Sequence, residues 1–126
     1  MKTLWTFPKQ EINSMGTSVS NGKPPSTLRL VNWKPDSLNA DIGGGRYDIF
    51  TQALKRLGVK NVVYDPFNRS FFENQKALIQ IKDHQCDSCT VNNVLNVIKN
   101  RRERHLVILQ ASDVIKEGGI AYFLIY

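Results

Sequence analysis

The chain has 126 residues, of which 41% are hydrophobic and 22% are charged. This length is enough for one compact α/β domain but not for two, and the composition is that of an ordinary globular protein. Seventeen lysines and arginines against eleven aspartates and glutamates give a formal net charge of +6. Such a charge suits an anionic partner, but by itself it informs on solubility and steering rather than on an activity.

No part of the sequence predicts a membrane or export segment. No apolar run approaches the roughly 18 residues that a membrane-spanning helix needs, and the first residues hold too short an apolar stretch for a signal peptide. With only two cysteines, Cys86 and Cys89, the chain cannot carry a disulfide scaffold. We therefore expect a cytoplasmic protein that does not contact a membrane.

Residues 1–36 are predicted to form an N-terminal arm rather than part of the domain. The arm is rich in Ser, Thr, Asn, Gly and Pro, and its dipeptide Pro24-Pro25 cannot lie inside a helix or a central strand. A short helix is predicted at about residues 26–33. Three aromatic residues are expected to anchor the arm to the body: Trp5, Phe7 and Trp33.

Residues 37–126 are predicted to form a single α/β domain in which strands and helices alternate. The strands are predicted at residues 38–42, 59–64, 90–95 and 120–126. Alternation of this kind implies right-handed crossovers, and hence a parallel sheet with helices on its faces.

Three helices are predicted in this domain from apolar spacing and capping signals. The first carries apolar residues at i, i+3, i+4 and i+7 from Phe50 to Leu57, and Gly58 is expected to end it. The second begins with a capping box formed by Ser70 and Glu73.

The second helix is expected to bury pairs of residues seven positions apart. These pairs are Phe71 with Leu78 and Phe72 with Ile79. The third helix is predicted at about residues 100–116, and the glycine pair at 118–119 is expected to end it before the last strand.

The strongest functional signal is the segment Asp-Ile-Gly-Gly-Gly at residues 41–45, where the first strand meets the first helix. Glycines let the backbone approach a ligand, and the crevice of a parallel sheet lies at the carboxyl ends of its strands. A dinucleotide fingerprint would need glycine at the position of Asp48, where an acid repels a pyrophosphate. A P-loop is excluded as well, because no Gly-Lys-Ser or Gly-Lys-Thr follows.

Acids on both sides of the glycines instead favour a ligand with a positive centre and no phosphate. Asp41 precedes the glycines and Asp48 follows them, while Asp65 ends the second strand. An acid at that strand end is well placed to accept hydrogen bonds from both hydroxyls of a ribose. A phosphate-free adenosine with a cationic group satisfies all three features. The alternative is a plain glycine turn with a solvated aspartate.

The pattern Asp41-x-Gly43-x-Gly45, followed by Asp65, resembles motifs I and II of the class I S-adenosylmethionine-dependent methyltransferases. The resemblance spans about residues 38–126, and the chain is similar to small methyltransferase-like proteins often carried by phages and mobile elements. It implies a three-layer, Rossmann-like methyltransferase fold with a minimal parallel sheet. The order of that sheet would be about 2-1-4-5 in the strand numbers of the family.

The resemblance also implies that the chain binds S-adenosylmethionine and transfers its methyl group. Asp65 would hold the ribose, and two asparagines would line the pocket floor. The cofactor-binding residues implied in this way are Asp41, Gly43, Gly44, Gly45, Asp65, Asn92 and Asn93. Neither the catalytic residues nor the methyl acceptor can be named from the sequence, and no metal site is implied. The alternative is a protein of the same fold that binds the cofactor or a nucleic acid without catalysis, or that acts as a scaffold.

The chain departs from the family in the length of one segment. Only 21 residues separate Asp65 from Asp87, so the third strand of the family is expected to be absent. The last predicted strand, at residues 120–126, would then be an apolar strand at an edge of the sheet, with unpaired backbone groups. We expect this edge to be covered by residues 4–7, by a partner, or by a second copy in a homo-oligomer.

Two further features suggest other classes of function. Basic residues at Lys99, Arg101, Arg102 and Arg104, with Lys23 and Arg29 of the arm, are suited to nucleic-acid phosphates, although no nucleic-acid-binding motif accompanies them.

The Cys-x-x-C pair at Cys86 and Cys89, near His84, suggests zinc or redox chemistry. Structural zinc needs four ligands, and a redox pair should open a helix, so packing of the thiols in the core or in a loop is favoured. Methylation of a base amino group is disfavoured, because no Pro-Pro-aromatic sequence follows Asn92 and Asn93.

Overall fold

The computed structural model describes residues 4–5 and 23–125, and in this part the chain is an α/β protein with a four-stranded parallel sheet. Its elements in chain order are α1 (Thr27–Leu30), β1 (Leu38–Ile42), α2 (Ile49–Arg56), β2 (Lys60–Tyr64), α3 (Phe71–Ile81), β3 (Cys86–Asn92), α4 (Arg101–Val114) and β4 (Ile115–Leu124). The strand order is β2-β1-β3-β4, which agrees with the predicted order when the four predicted strands are numbered along the chain. The architecture is consistent with a Rossmann-like fold. Among the helices described, none combines the length and apolar character needed to cross a membrane.

The register of the sheet brings three loops to one edge. Asp41 of β1 lies opposite Val63 of β2 and Thr90 of β3, so the three strands end at nearly the same level. Because all strands are parallel, the loops after β1, β2 and β3 leave the sheet on the same side. We call this side the carboxyl edge; the starts of the strands form the amino edge.

The two faces of the sheet differ in chemistry. One face packs against α3 and α4 through an apolar cluster built from residues such as Ile42, Tyr64 and Val91. The other face, covered by α2, buries the polar side chains of Asn39, Asp41, Asn61, Ser88 and Thr90. Successive side chains of a strand point to opposite faces, so each inner strand alternates between these two chemistries.

Local capping signals position the helices as the sequence predicts. Gly58 follows α2 with φ +79°, the left-handed conformation that glycine adopts most readily. Ser70 Oγ accepts from the Glu73 amide at 3.1 Å, and the Glu73 carboxylate accepts from the Ser70 amide at 3.0 Å. These two bonds confirm the predicted capping box at the start of α3.

Several predicted boundaries in the second half of the domain are wrong. The third strand spans Cys86–Asn92 rather than residues 90–95, because the Cys-Asp-Ser-Cys segment already pairs in the sheet. The third long helix ends at Val114 rather than near residue 116, and β4 begins at Ile115 rather than at residue 120. The glycines at 118 and 119 therefore do not end the helix. They lie where the register of β4 against β3 shifts, and a Cβ on Gly119 would lie 3.0 Å from the carbonyl oxygen of Asp87.

The expected apolar side of α3 is wrong for three of its four residues. Phe71, Phe72 and Ile79 are exposed, with 67–72% of each residue accessible to solvent. Leu78 is buried as predicted, together with Asn74, Ala77 and Ile81. This set follows the i, i+3, i+4, i+7 spacing of one helix face, and it begins at an asparagine that hydrogen-bonds the end of β2.

Part of the N-terminal arm contacts the body as expected. The Trp5 ring lies 4.9 Å from the Tyr64 ring, and its indole nitrogen donates to Asp113 at 3.1 Å. Trp33 packs against Phe50 and Tyr122, with ring centroids 6.1 and 6.3 Å away. Phe7 and the other residues of 6–22 lie outside the described residues. The predicted helix of the arm is shorter than expected and spans Thr27–Leu30.

Strand β4 lies at an edge of the sheet and pairs only with β3 in the part of the chain that is described. Leu4 and Trp5 do not cover this edge, because they contact Tyr64 and α4. Ile120 and Ile125 are each more than half exposed. Residues 6 and 7 lie outside the described residues, and pairing of a second chain along β4 stays a prediction.

Light scattering tests this expectation. The purified chain should show about twice the mass of one copy, and Ile120→Lys should return it to one copy, because a charge on an edge strand opposes pairing. Ile79→Lys is the control, since this exposed side chain lies on α3, whereas β4 makes its sheet contacts with β3. A wild-type chain that stays monomeric at high concentration would contradict the expected pairing.

Candidate functional site

The candidate site is built around the glycine turn, residues 43–45, at the carboxyl edge. Gly43 and Gly45 have φ values of +73° and +81°. A Cβ on Gly43 would lie 2.5 Å from a methyl group of Val94, and a Cβ on Gly44 would lie 2.2 Å from Oδ2 of Asp41. A Cβ on Gly45 would meet nothing within 4 Å. The turn is thus closely packed on its inner side and open at Gly45.

Asp41 lies beneath this turn rather than beside it. Only 2% of Asp41 is exposed to solvent, and its Oδ1 accepts a hydrogen bond from Thr90 Oγ1 at 2.9 Å. Thr90 Oγ1 in turn accepts from Asn39 Nδ2 at 3.0 Å, and Asn39 Nδ2 also donates to Asn61 Oδ1 at 2.8 Å. A chain of hydrogen bonds between side chains therefore crosses the sheet under α2 and ends at Asp41.

The burial of Asp41 changes its protonation. Removal from solvent raises the pKa of this carboxyl from 3.8 to about 7, and the charge of nearby Asp65 acts in the same direction. The hydrogen bond from Thr90 and the charge of Arg69 lower the pKa, but they do not offset the burial. Asp41 is therefore close to half protonated at neutral pH and supports the glycine turn from below.

Asp65 joins the end of β2 to the glycine turn. It is 3% exposed, and its Oδ2 accepts from the Gly45 amide at 2.8 Å and from Asn68 Nδ2 at 3.0 Å. Its Oδ1 accepts from the amides of Phe67 and Asn68 at 3.0 and 3.1 Å. The carboxylate predicted to hold a ribose thus holds its own loop and the open end of the turn.

Arg69 fastens the same loop to the outside of the turn. Its Nε donates to the carbonyl oxygen of Gly45 at 2.8 Å, and its Nη2 donates to that of Tyr47 at 3.2 Å. Nη2 also forms an ion pair of 2.8 Å with Asp48, so the acid that follows the glycines is compensated. We call residues 65–70, with these contacts, the clamp loop.

Asn74 of α3 fixes the backbone of the clamp loop. Its Oδ1 accepts from the Asp65 amide at 2.8 Å, and its Nδ2 donates to the carbonyl oxygens of Asp65 and Arg69 at 3.0 and 3.2 Å. The side chain is fully buried. Neither Arg69 nor Asn74 is among the residues predicted from the sequence, although an asparagine inside an otherwise apolar helix face is a visible signal.

The two predicted asparagines lie at the end of β3. Oδ1 of Asn92 accepts from Thr27 of α1 at 2.9 Å, while its Nδ2 is buried and has no partner among the described residues. Asn93 has φ +58°, and its Oδ1 is likewise buried without a described partner. Val94, which contacts Gly43, joins this pair to the glycine turn. These orphaned polar atoms are suited to hydrogen bonds with a ligand.

All of the predicted site residues therefore lie at the carboxyl edge, but they form two groups. The first contains Asp41, the glycine turn and Asp65, which contact one another directly. The second contains Asn92 and Asn93, which reach the turn through Val94. A shallow cavity of about 660 Å³ lies at the amino edge, lined by residues such as Ser37, Lys60 and Asp87, and does not belong to this site.

The cysteines pack in the core rather than at the site. Cys86 and Cys89 are fully buried within β3. Burial raises the pKa of the Cys86 thiol to about 12 and that of Cys89 well above its usual value, so neither is a thiolate at neutral pH. Among residues 4–5 and 23–125, no group of three or more His, Cys, Asp or Glu side chains could hold a metal ion.

The fold and site define an α/β domain, consistent with a Rossmann-like fold, that carries a glycine turn and a buried acid at its carboxyl edge. Comparisons of the chain with protein-family models, with curated proteins and with solved structures find no match. A function for this domain must therefore be argued from its own residues.

Asn74→Ala tests the support of the clamp loop. The variant leaves the buried N–H and C=O groups of Asp65 without their partners, and each such loss costs about 1–3 kcal/mol. We expect the free energy of unfolding in urea to fall by about 2–4 kcal/mol. The exposed neighbour Gln75→Ala should change it by less than about 0.5 kcal/mol. Equal losses in the two variants would contradict this role.

Asp41 predicts a dependence of stability on pH. The folded chain holds this proton up to about pH 7, whereas the unfolded chain releases it near 3.8. The stabilisation from protonated Asp41 is therefore complete below about pH 4 and is lost as the pH rises towards 7, at up to about 1.4 kcal/mol per pH unit.

Asp41→Asn supplies the reference for this measurement, because it keeps the acceptor for Thr90 and has no proton to lose. The free energy of unfolding of the wild type, minus that of the variant, should fall between pH 4 and 7 and stay level above about pH 8. The other titrating groups are the same in both proteins, so their contributions to the free energy of unfolding cancel in this difference. A difference that does not change with pH would contradict a raised pKa for Asp41.

Proposed function

We propose that the chain binds S-adenosylmethionine at the carboxyl edge, between the glycine turn and the clamp loop, and transfers its methyl group to an acceptor. One observation carries the proposal: Oδ2 of Asp65 lies 2.8 Å from the amide of Gly45. This contact brings an acid at the end of β2 to the open side of a glycine turn at the end of β1. S-adenosylmethionine needs such an arrangement: an acid to accept hydrogen bonds from the two ribose hydroxyls, and beside it a turn without side chains along which the methionine part can lie.

The charges around the turn support a ligand without phosphate. Asp41 and Asp65 are buried against the turn, and Arg69, the cation that contacts it, is paired with Asp48. A phosphate at the turn would face these carboxylates, and the guanidinium of Arg69 is already engaged with Asp48. A sulfonium, which is positively charged, meets no such penalty.

The residues present fit this cofactor with one rearrangement. The ribose hydroxyls would take the place of Asn68 Nδ2 at Oδ2 of Asp65, the backbone at 43–45 would lie along the methionine part, and Asn92 and Asn93 would form the floor. The unpartnered Nδ2 of Asn92 and Oδ1 of Asn93 offer a donor and an acceptor there. Binding would therefore require the clamp loop to release part of its own hydrogen bonding.

Methyl transfer asks little of the protein beyond alignment. The cofactor, when bound, supplies an electrophilic methyl group, and the reaction needs the nucleophile, the methyl carbon and the sulfur in line. The chain's own contribution would be to bind the nucleoside, to hold its orientation and to exclude water.

Calorimetric titration with S-adenosylmethionine and S-adenosylhomocysteine tests the proposal. Both should bind, and Gly45→Ala should weaken binding at least about tenfold, because its Cβ projects into the open side of the turn where the ligand would approach. Failure of both compounds to bind the wild type at millimolar concentration would overturn the proposal.

Gly118→Ala is a matched control for Gly45→Ala. Gly118 has nearly the same φ, +83°, and a Cβ there would also meet nothing within 4 Å, but it lies in β4 away from the carboxyl edge. Both variants should lose similar stability, about 1–2 kcal/mol, from the left-handed backbone. Only Gly45→Ala should lose binding, so the two measurements separate a binding effect from a folding effect.

A cofactor-binding protein without catalysis is the second candidate. It needs the same contacts of the glycine turn and Asp65 with the cofactor but no acceptor beside them. Formation of S-adenosylhomocysteine from bound S-adenosylmethionine in the presence of acceptor distinguishes the two.

A further inference from the structure

Exposed cations from three segments gather at the carboxyl edge. Lys99, Arg101 and Arg102 follow β3 at the start of α4, and all three are exposed without an ion pair to any described residue. Arg29 is exposed on α1, which the hydrogen bond between Thr27 and Asn92 holds against the end of β3. The third segment follows the glycine turn and carries exposed Arg46. We call these five residues the basic rim.

The segment that carries most of the basic rim is held in place by its own contacts. Arg104 turns inward and donates to the carbonyl oxygens of Ile98 and Lys99 at 2.8 and 2.9 Å. Oδ1 of Asn100 accepts from the Arg102 amide at 2.8 Å, which caps α4. The cations are therefore presented from a fixed backbone, which lowers the entropy lost when they bind a partner.

At the amino edge the exposed cations are interspersed with acids. There Lys116 is paired with Asp87, and the acids Asp36, Asp83 and Glu117 stand among the lysines. The basic rim is distinguished by its position beside the candidate site rather than by a larger share of the net charge of +6.

We propose that the basic rim binds single-stranded nucleic acid and that this strand is the methyl acceptor. The role as acceptor rests on the proposed function, whereas the binding itself does not. Cations spread over three segments match the repeated charges of a phosphate backbone better than one small anion. Tyr47, half exposed, has Arg46 Cζ 5.6 Å above its ring, and an exposed ring beside a cation is a platform on which an unpaired base stacks.

Fluorescence anisotropy with a labelled 16-nucleotide single-stranded DNA, without S-adenosylmethionine, tests this inference. Affinity should fall with salt, and the slope of log K against log salt should be about −2, for three phosphates at roughly 0.7 each. The double variant Arg101→Ala/Arg102→Ala should bind at least tenfold more weakly and lower the slope by about 1.4.

The double variant Lys55→Ala/Arg56→Ala is the matched control. It removes the same two charges from exposed positions, but in the last turn of α2. Its affinity should stay within twofold of the wild type. Equal weakening in the two double variants, or equal binding of a DNA duplex or of polyglutamate, would overturn the inference in favour of general charge attraction.

Calorimetry separates this inference from the proposed function. The Arg101→Ala/Arg102→Ala variant should bind S-adenosylmethionine as the wild type does, because neither side chain contacts the glycine turn or the clamp loop. If the DNA binds the rim but no cofactor binds the chain, the acceptor role is overturned and the nucleic-acid surface is retained. If the cofactor binds but the DNA does not, the inference fails alone.

Discussion

The candidate site depends on one buried carboxylate. Asp65 accepts hydrogen bonds from the clamp loop and from Gly45, and Asn74 in turn holds the Asp65 backbone. These hydrogen bonds join the glycine turn and the clamp loop, which the sheet alone would only place at the same edge, into one structure. Because the acceptors are buried, each bond is protected from competition with water, and loss of any partner leaves a costly unsatisfied group. The geometry of the site is therefore set by polar contacts, whereas the apolar core sets only the arrangement of the strands.

The sheet separates these two tasks between its faces. Beneath α3 and α4 the contacts between strands and helices are mainly apolar, while beneath α2 a chain of amides and hydroxyls runs to Asp41. A buried network of this kind stabilises one arrangement when it is fully satisfied and becomes a liability when one member is lost. Asp41 ends this network, and because burial raises its pKa to about 7, the glycine turn rests on a group that is close to half protonated at neutral pH.

Much of the fold follows from local sequence, because alternation of strands and helices with right-handed crossovers leaves few topologies, and capping signals such as Gly58 are local. The order of strand ends also explains why the acids and glycines could be placed at one edge. The features that the sequence did not predict correctly are determined by contacts between residues far apart in the chain. The buried face of α3 is set by Asn74 meeting Asp65, and Arg69 finds Asp48 across 21 positions of sequence, which no spacing rule encodes. The pair Gly118-Gly119, interpreted as a helix stop, instead accommodates a shift in strand register.

The direct passage from α4 to β4 has a geometric consequence. The helix of 14 residues is a rod of about 21 Å, and Val114 is followed at once by the extended Ile115, with no loop between them. The basic rim at the start of α4 and the first residue of β4 at its end are therefore separated by about 21 Å of continuous helix, with no flexible segment between them.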